Sequence, residues 1–273
     1  MLQNFWIVAV LVLAGCSSQE TQIAESVERG TQHFSAGNYI QARIEFASAL
    51  QLEPTNADAN FRMAQVADKL QGPRAALVLY QRIVNTSPLY AAAQVQLARA
   101  FLSMDAVDKA LAASGQVLTN DPNNADALMV RAGVFARRGD DVRAEQDARS
   151  ALRVDPLHID ATLFLADLAE RRGRGDEAVA QLQQALLRNP KHATLQAALG
   201  DALARQGDTQ AALQLLQDSI KVQPQELMYR VRLAMVYTQG RFGGVQPAHS
   251  RVNHRKPHTM HQFLRLYLYA VLQ

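Results

Sequence analysis

The sequence predicts an all-α solenoid, and the prediction depends on three sets of residues that recur every 34 positions. Six of the nine prolines lie 34 residues apart, an alanine stands twelve residues before each, and a glycine or alanine stands twenty-four before. A fixed period in this range indicates a chain of repeated helical pairs, in which each unit packs on its neighbours. The prolines are Pro54, Pro88, Pro122, Pro156, Pro190 and Pro224; the alanines are Ala42, Ala76, Ala110, Ala144, Ala178 and Ala212; the small residues are Gly30, Ala64, Ala98, Ala132, Ala166 and Gly200, with Ala234 extending the series.

Each unit is expected to hold two helices that are joined by a turn and closed by a proline. Two helices pack closely only where one side chain is small, so the alanine and glycine positions mark the helix crossings. Proline lacks a backbone N–H and disfavours helix before it, so each spaced proline ends a second helix. Glycine supplies the left-handed conformation at the end of a helix, and Asn or Asp caps the next helix. The turn residues are Gly37–Asn38, Gly139–Asp140, Gly173 and Gly207–Asp208.

The unit resembles the tetratricopeptide repeat, whose 34-residue pattern is W-x2-L-G-x2-Y…A-x3-F…P. The first unit matches this pattern at Gly30, Ala42, Phe46 and Pro54. It departs at the Trp, Leu and Tyr places, which hold Ser26, Arg29 and His33. Later units restore the leucine, at Leu97, Leu165, Leu199 and Leu233. The resemblance covers residues 23–239 and implies a right-handed α-solenoid of six full helix-turn-helix repeats plus the first helix of a seventh.

The charge distribution argues against nucleic-acid binding. Residues 1–226 carry 21 Lys and Arg against 25 Asp and Glu, and no acid follows Glu226. The formal net charge of +3 therefore comes from the end of the chain, and the repeat region is mildly acidic. A nucleic-acid-binding surface would instead be expected to concentrate Lys and Arg in the folded region.

The N-terminus reads as a secretory signal. Phe5 to Ala14 is an apolar run of ten residues, too short for the roughly 20 residues that a membrane-spanning helix needs. The ending Leu13–Ala14–Gly15–Cys16 resembles the bacterial lipobox, and Cys16 is the only cysteine. The resemblance implies a signal peptide at 1–15, a lipid-anchored linker at 16–22, and acylation of Cys16 by chains such as palmitate.

The same resemblance implies a location in the bacterial cell envelope. Ser17, rather than Asp, follows the cysteine, which by the sorting rule of such lipoproteins favours the outer membrane, facing the periplasm. The layout is similar to tetratricopeptide lipoproteins that accompany exopolysaccharide synthesis or export and exosortase-linked (PEP-CTERM) sorting.

Membership of this family would also place a binding groove on the first helix of each repeat. An apolar row down its middle is expected from Phe61, Val95, Met129 and Leu163, with Lys69 and Arg99 beside it. Arg137, Arg171 and Arg205 would form a ladder near the helix ends, with Asp126, Asp160 and Asp201 along the same helices. The hypothesis is that the apolar row supplies contact area for a peptide and the arginines hold its carboxylates. The alternative is that a basic residue at the ladder position offsets the helix dipole.

The repeat pattern breaks down after the first helix of the seventh unit. Residues 240–273 lack acids, hold Pro247 and Pro257, and place four histidines within 13 residues, from His249 to His261. We interpret this irregular basic tail as the product of a frameshift or of truncation of a longer repeat protein. The alternatives are a tail that contacts a membrane or a polymer, and a metal site formed by the histidines.

Taken together, the sequence predicts a non-enzymatic protein-binding scaffold in the cell envelope. No phosphate-binding glycine loop, GxSxG or HExxH motif is present, so no cofactor, metal or catalytic residue is expected. The expected partner is a protein or peptide of the envelope, with the membrane reached through the lipid anchor. The alternative function is that of an accessory lipoprotein in polysaccharide export or exosortase-linked sorting.

Overall fold

The computed structural model of the chain describes residues 3–83, 87 and 89–242, with side chains for 19–83, 87 and 89–238. The described residues form thirteen α-helices and no strand, which confirms the all-α solenoid. The chain divides into two compact units, Met1–Val154 and Asp155–Gln273. The first unit holds α1 Gln3–Ser35, α2 Tyr39–Leu52, α3 Ala57–Gln71, α4 Pro73–Gln81, α5 Tyr90–Ser103, α6 Val107–Asn120, α7 Ala125–Arg137 and α8 Asp141–Val154. The second holds α9 Ile159–Arg171, α10 Gly175–Arg188, α11 Ala193–Gln206, α12 Thr209–Val222 and α13 Leu227–Phe242.

The helices alternate as the repeat period requires. Odd-numbered helices are the first helices of the repeats, and even-numbered helices are the second helices. In five of the repeats the second helix ends two residues before the spaced proline, as expected from the missing N–H of that residue. Those helices are α2, α6, α8, α10 and α12.

The predicted crossing positions are buried in both units. All six alanines of the second helices are at most 1% exposed. Around them the larger side chains form a chain of small cores: Phe46 and Val66 with Ala42, Tyr80 and Leu97 with Ala76, and Leu216 with Ala212. Each core is shared by neighbouring helices, so the hydrophobic interior is a strip that continues from repeat to repeat within a unit.

The turn inside each repeat adopts left-handed backbone, and one turn does so without glycine. Gly207 has a φ of 92° and lets α11 end beside Asp208, whose carboxylate accepts a hydrogen bond from the Ala211 amide. In the third repeat Asp105 occupies the same place with a φ of 60°, a conformation that is costly for a residue with a Cβ. Asn38, expected to cap α2, makes no capping hydrogen bond with its side chain.

The first helix is longer than a repeat helix. α1 runs without a break from Gln3 to Ser35, through the predicted signal peptide and linker and into the first repeat. The boundaries at residues 15 and 22 stay predictions. None of the helices in the described ranges combines the length and apolar character needed to cross a bilayer.

The seventh repeat has the predicted first helix. α13 ends at Phe242, three residues beyond the expected end, and packs Tyr229, Leu233 and Val236 against α11 and α12. Leu227, Met228 and Met235 are each more than half exposed. Residues 243–273 of the basic tail lie outside the described residues. The interpretations of this tail, as the product of a frameshift or truncation, as a membrane- or polymer-contacting segment, or as a metal site, therefore stay predictions.

Ala178→Leu is expected to lower the free energy of unfolding by about 1–3 kcal/mol, because the larger side chain overpacks a filled crossing. Ala178 is fully buried on α10, in the core that it forms with Leu182 and Leu195. The matched control is Ala180→Leu, since Ala180 is exposed on the same helix and has the same helix propensity. Urea unfolding of both variants measures the difference, and equal stability would mean that the crossing lies elsewhere.

Candidate binding groove

The predicted groove residues all lie on first helices, and they divide between the two units. In the first unit Phe61 and Lys69 lie on α3, Val95 and Arg99 on α5, and Met129 and Arg137 on α7, with α5 packed beside α7. In the second unit Leu163 and Arg171 lie on α9 and Asp201 and Arg205 on α11, which packs between α9 and α13. Each unit therefore presents its own surface of neighbouring first helices.

The predicted apolar row is only partly accessible. Val95 and Met129 are 3% and 8% exposed, so they serve the packing between helices more than they offer contact area. Phe61 is half-buried against the ring of Tyr80, at 5.5 Å between ring centroids and an interplanar angle of 63°. Leu163 is partly exposed in the second unit. The accessible apolar area thus comes from separate side chains, not from a continuous row.

A further apolar side chain lies over the surface of the first unit. Leu102 on α5 reaches across to Gly133 on α7, where a Cβ would stand 2.7 Å from Leu102 Cδ2. Leu102 therefore fills the space that a larger residue at position 133 would take. The repeat alignment places Leu102 at a groove position, and Gly133 leaves the space that the Leu102 side chain occupies.

In the first unit the groove arginines are joined to acids of the neighbouring repeat. Arg99 on α5 donates to Asp126 at the start of α7. Arg137, at the end of α7, donates from Nη1 to Asp105 Oδ1 in the turn after α5, at 2.9 Å. Lys69 is exposed and makes no ion pair with any described residue. The positive charge of Arg137 at the ladder position is therefore balanced by Asp105.

The second unit repeats this arrangement. Arg205 on α11 donates from Nε to Glu170 Oε2 on α9 at 3.0 Å, and Arg171 pairs with Asp167 within α9. Arg232 on α13 donates to Asp201 at 2.7 Å. Burial raises the pKa of the Asp201 carboxyl, and the guanidinium groups of Arg232 and Arg205 oppose that rise.

The pairing of the arginines is the feature that sequence reasoning missed. Asp105 and Arg232 were outside the predicted set, and the pairing of the groove-position Glu170 with Arg205 was not predicted; each of the three holds a groove residue in place across a repeat boundary. A signal was present, because Glu170 and Arg205 differ by one period plus one residue, a spacing that brings side chains of adjacent first helices together. Exposed pairs of this kind contribute little to stability, so their main effect is to orient the side chains.

Two buried acceptors on this surface lack a donor among the described residues: Gln65 Oε1 on α3 and Glu170 Oε1 on α9. Gln65 stands at the same repeat position as Arg99, and the other oxygen of Glu170 already accepts from Arg205. A buried acceptor without a donor is costly, so each of these two positions destabilises the packing of its own unit. Within the described residues, no group of three or more His, Cys, Asp and Glu side chains could hold a metal ion.

Comparison with known proteins decides the family. The tetratricopeptide repeat family matches residues 95–159, 143–191 and 163–226, one match after another along the repeats seen in the structure. This part of the chain belongs to the tetratricopeptide repeat family. None of the curated proteins matches it by sequence.

Solved structures agree with this tetratricopeptide fold at low sequence identity. Cut9–Hcn1, an APC/C hetero-tetramer, aligns with a TM-score of 0.62 and 15% identity over 83% of this chain, which spans only 45% of that chain. TTC0263, a protein of Thermus thermophilus, aligns with a TM-score of 0.59 and 23% identity, over 67% of this chain and 99% of that one. PilF of Pseudomonas aeruginosa gives a TM-score of 0.57 and 16% identity, over 80% and 99% of the two chains. At these identities the likeness is one of fold.

Proposed function

We propose that this tetratricopeptide repeat protein is a non-catalytic scaffold of a bacterial envelope, anchored through Cys16, that binds a polypeptide on the first-helix surfaces of its repeats. Tetratricopeptide repeats are protein-interaction modules and typically serve as scaffolds without catalysis. The lipid anchor, the envelope location and the binding groove are inferred for this chain from its own residues.

The observation that carries the groove proposal is the arrangement of cations and partly exposed apolar side chains on first helices, with Arg137 and Phe61 in the first unit and Arg205 and Leu163 in the second. Within each unit, an extended or helical peptide would bring apolar side chains and carboxylates at the spacing of neighbouring first helices. The neighbouring charges are fixed as well, because Arg205 and Arg137 are already oriented by acids of the adjacent repeat. Pre-oriented groups lose less conformational entropy when a ligand binds.

A polysaccharide ligand is less well supported. Carbohydrate sites are expected to present exposed aromatic rings, and Phe61 is the one aromatic residue among the predicted groove positions. Its ring is held edge-on to Tyr80 and only partly exposed. The alternative role beside polysaccharide export or exosortase-linked sorting therefore has no dedicated feature in the described repeats.

Support for the anchor comes from the sequence and from the course of α1. The apolar run and Leu13–Ala14–Gly15–Cys16 resemble a lipoprotein signal, and Cys16 is the only cysteine. The backbone is helical from Gln3 through Cys16 into the first repeat, so an acyl group on Cys16 would hold the first repeat close to the bilayer. Two or more acyl chains give stable anchoring, where one gives marginal binding.

Reversing the charge of Arg137, Arg171 and Arg205 to Glu is expected to abolish capture of the envelope partner. Each change would set a glutamate beside Asp105, Asp167 or Glu170, so the surface would repel the carboxylates that the arginines are proposed to hold. Cross-linking of tagged protein in intact cells, followed by identification of the captured proteins, gives the readout. The matched control is Arg149→Glu, Arg153→Glu and Arg188→Glu, since these arginines are exposed on second helices.

Two further variants separate the parts of the proposal. Asp105→Gly frees Arg137 and places glycine where the other left-handed turns have it, so we expect capture to be maintained or strengthened. Cys16→Ser is expected to release the protein from the membrane fraction and to remove the envelope partners. Unchanged capture by the triple groove variant would overturn the groove, and membrane retention of the Cys16→Ser protein in cells would overturn the lipid anchor.

A further inference from the structure

The second helices of the first two repeats carry large apolar side chains on their solvent side. Ile40 and Ile44 on α2 are 60% and 52% exposed, and Val78 on α4 is 57% exposed. Ile44 and Val78 stand one 34-residue period apart, so they occupy the same place on successive second helices. The equivalent places in the later repeats hold Ala112, Gln146, Ala180 and Gln214. The exposed apolar surface at this place is therefore confined to the N-terminal end of the repeats.

Three arginines lie among these apolar side chains. Arg43 on α2, Arg74 on α4 and Arg82 at its end are exposed, and among the described residues none of them makes an ion pair. The contrast is α8, where Arg143 pairs with Asp140 and Arg149 pairs with Glu145. We call the surface formed by Ile40, Arg43, Ile44, Arg74, Val78 and Arg82 the α2–α4 face.

The acids of the same repeats lie elsewhere. Glu20, Glu53 and Asp58 line one cleft between the first helices α1 and α3 and the turn after α2. Glu45, on α2 itself, is half-buried and is neutralised by Arg29 at 3.0 Å. The described part of the first helices and the turn after α2 hold six acids against three bases, Arg29, Arg62 and Lys69. The first two repeats thus have a net acidic side, next to the first helices, and a side that is both basic and apolar.

The C-terminal end of α2, the helix that carries Ile40, Arg43 and Ile44, lies close to the predicted acylation site. Gln19 Nε2 on α1 donates to the carbonyl oxygen of Leu52, the last residue of α2, at 3.0 Å. Gln19 follows Cys16 by three residues, less than one turn of the continuous helix α1. A lipid chain on Cys16 would therefore bring α2 to the membrane surface before any other second helix.

We propose that the α2–α4 face lies on an anionic phospholipid surface, with its apolar side chains at the headgroup boundary and its arginines among the phosphates. Exposed apolar residues flanked by unpaired cations are what binding in the interface plane requires. The acidic first-helix side would be repelled by the same surface, so the charge distribution fixes which side faces the bilayer. This inference rests on the proposed anchoring, and it adds an orientation that leaves the first-helix surfaces open to a partner.

Because Cys16 is the only cysteine, replacing it allows a probe to be attached at one newly introduced cysteine. In the full chain carrying Cys16→Ser, an environment-sensitive fluorophore is attached through Ile44→Cys, through Val78→Cys or, as the control, through Val142→Cys. Val142 is 74% exposed on α8 at the repeat position of Ile40, so the control has a similar helix and exposure. Vesicles of phosphatidylcholine with phosphatidylglycerol are the probe, and pure phosphatidylcholine vesicles are the comparison.

We expect the emission of the probes at positions 44 and 78 to shift to the blue, and an aqueous quencher to lose access to them, on anionic vesicles only. The probe at position 142 should not respond. Arg43→Glu, Arg74→Glu and Arg82→Glu together should weaken the vesicle affinity at least about tenfold, because each cation near an anionic surface contributes to binding. Equal responses at positions 44 and 142, or continued quenching at position 44 on anionic vesicles, would overturn the orientation.

The readout is independent of the rest of the proposal. The assay needs neither acylation nor a partner, so failed lipidation of Cys16 in cells or a groove that captures nothing leaves its result unaffected. Conversely, an unshifted probe at position 44 in a protein that is lipidated and captures its partner would reject the α2–α4 face alone.

Discussion

Phe46→Ala is expected to lower the free energy of unfolding of the first repeats by about 3–5 kcal/mol, the range for removing a fully buried aromatic side chain. Phe46 is 0% exposed on α2 and packs with Ala42 and Val66, with Val27, Phe34, Tyr39 and Met63 around them. The cavity would form where α1, α2 and α3 meet, so the neighbours would have to move together to close it. Urea unfolding measures the loss, and hydrogen exchange of the amides of α1–α3 locates it.

The Phe46 ring fits because residue 30 is a glycine. A Cβ built on Gly30 would lie 2.5 Å from one ring carbon of Phe46 and 2.7 Å from another, closer than real Cβ contacts allow. Gly30→Ala alone should therefore destabilise the protein, although alanine is the better helix former. Gly30→Ala combined with Phe46→Leu should recover part of that loss, because the smaller side chain yields space.

Ile44→Ala is the matched control for Phe46→Ala, since Ile44 lies on the same helix with 52% of its surface exposed. A surface substitution of this kind is expected to change stability by roughly 0.5 kcal/mol or less. If Phe46→Ala were no more harmful than Ile44→Ala, the first repeat would not be folded as described.

The contact between Gly30 and Phe46 shows what the sequence alone could predict. Both residues belong to the recurring pattern, and the pattern exists because one small residue and one large residue must meet at every crossing. Burial at these places follows from the period without knowledge of any other contact. The turns at Gly37, Gly139, Gly173 and Gly207 follow in the same way, whereas the positive φ of Gly72 and of Asp105 is visible only in the structure.

The groove was harder to predict, for a physical reason. Repeat position states which side of a helix a residue occupies, but not whether the neighbouring helix covers it. Val95 and Met129 lie on the expected side and are nevertheless buried. The positions of the guanidinium groups of Arg137 and Arg205 depend in turn on acids in adjacent repeats, a coupling that a single-repeat pattern does not contain.

The largest departure from the repeat pattern is a charged pair inside the packing. Arg131 stands at the leucine place of the fourth repeat and makes two hydrogen bonds to Asp147, from Nε at 2.7 Å and from Nη2 at 2.8 Å. The same exchange occurs three repeats earlier, where Arg29 stands at the leucine place and donates to Glu45. An acid sixteen residues after the arginine is therefore the signal for this substitution.

Asp147→Ala is expected to destabilise the first unit by about 2–3 kcal/mol. Removing one member of a buried ion pair typically costs about 3–5 kcal/mol, because the other charge is left without compensation. The lower figure applies because 32% of the Arg131 side chain is exposed and can reach water, while Asp147 itself is buried. The hydrogen bonds to Asp147 raise the pKa of the Arg131 guanidinium in the natural protein. Without them Arg131 still stays charged, because an arginine is protonated at all ordinary pH.

The double variant Arg131→Leu with Asp147→Leu should be as stable as the natural protein, or more stable. The sixth repeat already holds Leu199 and Leu215 at these two places, so the repeat geometry accepts the apolar pair. Replacing a buried ion pair by well-packed apolar residues is often neutral or stabilising, because two desolvated charges disappear together. Urea unfolding of the natural protein, the two single variants and the double variant gives the coupling free energy between positions 131 and 147. If instead the double variant were the least stable of the four proteins, the charged pair would be a net source of stability. The physical reason would be that the exposed part of the Arg131 side chain stays hydrated in the folded protein. The arginines at the leucine places of the first and fourth repeats would then stabilise the fold.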